Sequence, residues 1–275
     1  MTSQELTQKI FQKQSFLCVG LDTDPDLLPR KYSRTKRDIL IFNREIIEST
    51  KDYAVAYKFN TAFYEAMGPV GFEILGETLE YIPKGIFTIA DAKRSDIGNT
   101  AQKYARAFFE VMNFDAVTLS PYMGRDSVEP FLSYRDKWAI ILALTSNPGS
   151  LDFQYIEGRD GIPLWLSVAR ECSKWGNSDN IMLVVGANRV REMKTLRENL
   201  PDYFFLVPGV GHQGGDLGQV FLSSCTTKGP NILVNASRSI IYSPSDSDLG
   251  ESAEGRAKLL QGEMAKEMKV FLDNP

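Results

Sequence analysis

The stretch IFTIADAKRSDIGNTAQKYARAFFEVM, residues 86–112, reads as one complete structural unit. It opens with a short apolar run, 86–90, the length of a strand buried on both faces. It turns polar at Asp91 and Lys93. It then passes into 99–112, where Ala101, Tyr104, Ala105, Phe108 and Phe109 recur at helical spacing. A strand feeding an amphipathic helix is the unit from which parallel α/β sheets are built.

The same unit recurs along the chain. Further apolar, β-branched runs lie at 16–21, 54–59, 116–119, 139–144, 181–185, 204–207 and 232–234, which with 86–90 makes eight. Amphipathic stretches lie between them. Residues 35–51 carry Ile39, Phe42, Ile46 and Ile47 at helical spacing, and 162–175 and 189–200 are similar. Eight units in 275 residues suit the α/β class and a closed (β/α)8 TIM barrel, expected as a single domain spanning 1–275. A doubly wound open sheet is the structural alternative, but no Gly-x-Gly-x-x-Gly follows the first run. The longest irregular stretch, 151–161, follows the fifth strand and reads as a lid or binding loop. A second polar stretch, 243–252, follows the eighth.

Composition narrows the function classes. The net charge is −4 and no basic stripe stands out, so nucleic acid is not expected as a partner. No apolar run is long enough to span a bilayer, and the first residues carry no apolar signal core, so a cytoplasmic protein is expected. The three cysteines, Cys18, Cys172 and Cys225, are far apart with no metal spacing, which fits a reducing compartment. His212 is the only histidine, which excludes most His-rich metal sites and triads that need more than one. A lone His in a glycine loop is more often a loop residue than a base.

Almost every strand ends in polar residues, and in a barrel those ends converge on one mouth. The first leads to Asp22, the second to Lys58 and Asn60, the third to Asp91 and Lys93, the fourth to Ser120, the fifth to Ser146, and the eighth to Ser237 and Arg238. Asp91 and Lys93 are two apart on an extended segment, so they point to one face. With Lys58 and Asp96 they form two lysines and two aspartates that can alternate in space. Such a network suits a site that holds an anion while setting negative charge against part of it. It equally suits a structural ion-pair cluster, with Asp96 as a helix N-cap. The loop Pro208-Gly-Val-Gly-His-Gln-Gly-Gly-Asp216 and the segment Asn235-Ala-Ser-Arg238 follow the last two strands, where barrels often bind phosphate. Four glycines allow backbone N–H groups close to a ligand, and Arg238 suits bidentate phosphate contacts.

The segment Asp91-Ala-Lys93-Arg-Ser-Asp96-Ile-Gly-Asn-Thr100 closely resembles the signature of the orotidine 5′-phosphate decarboxylase family. Further matches follow the family's order: Val19-Gly-Leu-Asp22, Tyr57-Lys58-Phe-Asn60, Ala143-Leu-Thr-Ser146-Asn-Pro-Gly, the loop from Pro208 with Gln213, and Ser237-Arg238. Tyr122-Met-Gly-Arg-Asp-Ser-Val-Glu-Pro-Phe131 resembles the longer bacterial branch. Ser95 stands where the family often has glycine, and His212 where a small residue is common.

The resemblance implies a homodimer that converts orotidine 5′-monophosphate to uridine 5′-monophosphate and CO2, in the last step of de novo pyrimidine synthesis. It implies no metal or organic cofactor. By that resemblance Asp22 and Lys58 hold the ribose hydroxyls, and Asn60 is a further substrate-binding residue. Asp91 lies against the substrate carboxylate, and Lys93 stabilises and protonates the carbanion. Asp96 and Thr100 reach into the partner's site, Ser146 bonds the pyrimidine, and Gln213 and Arg238 bind phosphate. The rivals are another phosphosugar-barrel lyase of the keto-gulonate phosphate decarboxylase type, which typically uses magnesium, and a non-catalytic phosphate-ligand binding protein.

Overall fold

The computed structural model describes residues 1–210, 215–226, 229–242 and 249–273. Apolar runs with no polar face cannot border water on either side, and here none does. The strands Leu17–Gly20 (β1), Ala56–Asn60 (β2), Phe87–Arg94 (β3), Ala116–Leu119 (β4), Trp138–Leu144 (β5), Ile181–Val185 (β6), Phe204–Pro208 (β7) and Ile232–Ala236 (β8) are buried along almost their whole length. Each pairs in parallel with the next, and β8 pairs with β1 to close an eight-stranded barrel. This is the TIM barrel that the repeated units imply. Strand limits match the apolar runs to within two residues, except that β3 runs on to Arg94.

The helices Lys36–Thr50, Gly98–Arg106, Leu164–Ser173 and Val190–Asn199 lie where the helical spacing puts them. The second continues as a π-helical turn, Ala107–Val111. Four further helices, Ser3–Lys13, Pro69–Glu80, Leu217–Ser224 and Leu249–Asp273, lie outside the helical stretches noted in the sequence. The first is fixed by a capping box, in which Thr2 and Glu5 satisfy each other's backbone N–H groups. It buries only Leu6 and Ile10. It lies across the barrel's N-terminal end, opposite the mouth. There Met1 O accepts from the Trp138 indole at 2.8 Å, and the Ser3 N–H donates to Asp179 Oδ1 at 2.9 Å. Just inside that end, Trp138 packs edge-on against Phe87 and Phe204, with centroids 5.8 and 6.0 Å apart. The floor is therefore plugged and only the other end can admit a ligand. The last helix packs against Lys36–Thr50 through a narrow face that buries Ala253, Ala257, Met264 and Met268. Residues 151–161 are largely irregular, following a 3₁₀ turn at Pro148–Asp152. Among the described residues, no helix is long and apolar enough to cross a membrane.

One buried cation ties the β7–β8 side together. Arg197 is 7% exposed and stacks its guanidinium 4.0 Å from the Phe205 centroid. It donates to the carbonyls of Ser224, Leu200, Pro201, Tyr203 and Asn231 at 2.6–3.1 Å. No shorter or apolar side chain can serve those acceptors at once. Arg197→Met should therefore lower stability by about 3 kcal/mol or more, read as an earlier urea midpoint. An unchanged midpoint would show that water satisfies those carbonyls equally well.

Candidate active site

The charged residues at the mouth are organised around Lys58. This lysine lies in the middle of β2 and is only 4% exposed. Its Nζ lies 3.0 Å from Asp91 Oδ2 and 3.4 Å from Asp22 Oδ1. The register explains the meeting: Gly20 and Ile89 flank Lys58, and Asn60 faces Asp91 across β2 and β3. The Asn60 N–H also donates to Asp22 Oδ1 at 3.2 Å. Burial alone would strip the proton from Lys58, but the Asp22 and Asp91 carboxylates outweigh it and hold its affinity for the proton above the usual lysine value. Burial alone would protonate Asp91. The ammonium groups of Lys58 and Lys93 overcome that, so Asp91 stays ionised well below the usual carboxylate range.

Lys93 lies on the other side of Asp91, its Nζ 2.6 Å from Asp91 Oδ1, and its side chain is half exposed to the mouth. The two do share a face, but not by the regular alternation that the spacing suggests. Ala90 pairs with Val117 and Arg94 with Leu119, so four steps on β3 span two on β4. The excess is taken up in a bulge where Lys93 has φ +47°. Left-handed backbone at a non-glycine residue costs on the order of 1–3 kcal/mol and survives only when its neighbours enforce it. Here Thr118 Oγ1 accepts from the Lys93 N–H at 2.9 Å and lies 2.9 Å from Asp91 Oδ1. Arg94 donates to Ala92 O and reaches Glu65, and the Ser120 N–H resumes the ladder at Arg94 O.

A cavity of about 360 Å³ opens beside this chain of charges. Asp22, Lys58, Asn60 and Asp91 line one side, and Gly209, Asn235 and Arg238 line the other. Gly20 has no side chain because a Cβ there would lie 2.7 Å from Ser237 Cβ. Asn235 is 8% exposed, and its Oδ1 has no hydrogen-bond partner among the described residues. A buried amide oxygen of that kind awaits a donor from a bound molecule or water. Arg238 starts a short helix, Arg238–Ile241, and is exposed. Ser146, after β5, is half-buried. Its carbonyl accepts from Asn188 at 3.1 Å, and Gly186 lets the β6 loop press directly against its backbone.

The fold thus brings together Asp22, Lys58, Asn60, Asp91, Lys93 and Arg238 around one mouth. Asp96 does not join them within the chain. Among the described residues its carboxylate accepts only from the neighbouring Ile97 N–H, at 2.8 Å, and the N-cap of Gly98–Arg106 is Ile97, not Asp96. Thr100 is exposed on that helix. Gln213 and His212 lie outside the described residues; the base of their loop is closed by a bridge between Val210 and Gly215. Thr118 and Asn235 are the site residues that sequence reasoning passed over as individuals. A signal for Thr118 existed, because it shares a strand face with Ser120 in an otherwise apolar run. Among the described residues, no three His, Cys, Asp or Glu side chains converge as a metal ligand set would.

A family model described as orotidine 5′-phosphate decarboxylase / HUMPS family matches residues 15–251. The orotidine 5′-phosphate decarboxylase of Christiangramia forsetii is 48% identical over 272 residues, covering 98% of this chain and 99% of that one. The protein of the same name from Bacteroides fragilis is 45% identical over 279 residues, covering 99% and 100%. The solved OMP decarboxylase of Leishmania donovani superposes with a TM-score of 0.85 at 34% identity, covering 98% of this chain and 99% of that one. With the sequence matched over nearly its whole length and the barrel shared, the chain belongs to the orotidine 5′-phosphate decarboxylase / HUMPS family.

Proposed function

We propose that this protein decarboxylates orotidine 5′-monophosphate to uridine 5′-monophosphate and CO2, the last step of de novo pyrimidine synthesis, without metal or organic cofactor. The observation that carries the reading is the Lys58–Asp91–Lys93 chain beside a cavity whose far side offers Arg238. Its one carboxylate, Asp91, is already neutralised by the two ammonium groups. Arg238, with Gln213, binds phosphate. Asp22, Lys58 and Asn60 hold the ribose, and Ser146 bonds the pyrimidine ring. These contacts set the C6 carboxylate of the substrate against Asp91.

The C6–carboxylate bond then breaks. CO2 leaves, and the electron pair stays on C6. The Lys93 ammonium faces that developing charge, so it stabilises the transition state more than the ground state. It then delivers its proton to C6 and regains one from water. Asp91 also opposes the substrate's negative charge and raises the ground state. The phosphate contacts, remote from C6, supply the binding energy that orders the site.

The active unit is a homodimer with shared sites. Asp96 and Thr100 act in the partner's site, which accounts for an Asp96 carboxylate that forms no ion pair with a lysine among the described residues. Ile97, next to it in the chain, is exposed, as are Tyr122 and Met123 after β4. A cytoplasmic location fits the buried free thiols of Cys18 and Cys172.

Purified protein in EDTA should consume orotidine monophosphate, followed as loss of the substrate's ultraviolet absorbance. Lys93→Ala should fold normally yet lose at least about 1,000-fold in kcat. No turnover by the wild type would sink the reading. Turnover that needs added magnesium would favour the keto-gulonate phosphate decarboxylase type of chemistry. The shared site has its own test. Asp96→Ala and Lys93→Ala chains, each inactive alone, should regain activity on mixing, in roughly a quarter of the sites. Inactivity in verified heterodimers would show that Asp96 serves its own subunit.

A further inference from the structure

We infer that Thr118 is a positioning residue for the Asp91–Lys93 pair, acting by holding Lys93 in its left-handed backbone and directing one proton at Asp91. The inference rests on the proposed roles of Asp91 and Lys93, but the geometry behind it is independent of any substrate.

Thr118 is fully buried in the middle of β4, with its hydroxyl turned into the barrel toward the β3 bulge. A hydroxyl has one proton to give and two lone pairs. The Lys93 N–H, 2.9 Å away, can only donate, so it occupies one of those lone pairs. The hydroxyl proton is then left for Asp91 Oδ1, also 2.9 Å away, which as a carboxylate can only accept. The chain N–H → O–H → carboxylate has one polarity. It closes on itself, because the Lys93 Nζ donates to that same Oδ1.

The consequences are local and specific. In a regular ladder the Lys93 N–H would find a β4 carbonyl. The two extra residues between Ala90 and Arg94 displace it, and the threonine hydroxyl takes the carbonyl's place. Both ends of Lys93 thus depend on Thr118. The main chain is held directly, and the ammonium is held through the carboxylate that Thr118 orients. Valine would keep the shape and the strand preference, but would leave a buried N–H without an acceptor and free Asp91 to rotate. Serine would keep the bond network.

Thr118→Val and Thr118→Ser test this. The valine variant should lose about 10- to 100-fold in kcat, the scale of a misplaced catalytic group. Its KM and its affinity for uridine monophosphate should stay near wild type, while its melting temperature should fall by no more than roughly ten degrees, the cost of one unsatisfied buried N–H. The serine variant should keep kcat within about threefold. Three results would overturn the inference: a valine variant with normal kcat, equal losses in both variants, or a kcat loss matched by the loss of nucleotide affinity. Hydrogen exchange at the Lys93 amide separates this from the proposed function, because it needs no substrate. If the wild type proves inactive, exchange still decides: the amide should be protected in wild type and Thr118→Ser, and exchange at least about tenfold faster in Thr118→Val. Equal protection in all three would refute the bond's role.

Discussion

The mouth of this barrel depends on one buried cation. Taking an ammonium out of water costs several kcal/mol, and Lys58 is taken out almost completely. Asp22, just after β1, and Asp91 on β3 offset that cost. Removing either one would leave charge stranded in the wall, at a cost of about 3–5 kcal/mol for a broken buried pair. Lys58 therefore does more than bind. It fixes where Asp91 stands, and a carboxylate that cannot turn away is one that can be set against another negative charge. An aspartate buried in the same position without those lysines would rotate away or take up a proton.

The second constraint is conformational. Lys93 sits in a left-handed bulge that a lysine would not choose, on a strand that could have continued flat. A flat strand would give the same alternation of faces, so burial alone does not explain the bulge. Anchoring does. Asp91 stays deep in the wall while Lys93 is lifted to a half-exposed position with its ammonium returned to Asp91 Oδ1. Ser95 causes no difficulty here. The left-handed residues of this segment are Lys93 and Gly98, and Ser95 is not among the positive-φ positions. The glycine common in the family is not required for this backbone.

How much of this could be read beforehand follows the same physics. Parallel strands buried on both faces leave continuous apolar runs, so all eight were legible, nearly to their limits. The helices that escaped notice bury narrow faces: two residues in Ser3–Lys13, and small Ala and Met side chains in the Leu249–Asp273 helix. Pro69–Glu80 begins after Gly68 at φ +67° with no side-chain cap, so the usual start signal is missing. At the site, the charged residues at strand ends were legible because the barrel rule gathers them. The bulge was not, since it arises from a register between β3 and β4 that no local pattern records. For Thr118 the local pattern gave its face, shared with Ser120, but not its partner. A threonine within an apolar strand reads as a β-former until the neighbouring strand shows what its hydroxyl touches.

The division of roles along 91–96 follows from where the bulge ends. Arg94 is clamped by Glu65 and Ala92 O on the barrel's outer side, and its guanidinium lies over Tyr104 and Phe108. The chain leaves the wall at that clamp. Residues before it are held inside the mouth by Lys58 and Thr118, and residues after it run over the surface. Asp96 follows the clamp by two residues, and among the described residues its carboxylate pairs with no lysine of its own chain. A carboxylate released there, beside exposed Ile97, is positioned to serve whatever covers that face. In a symmetric dimer that cover is the same segment of a second copy, and one clamp on each chain would then complete both sites.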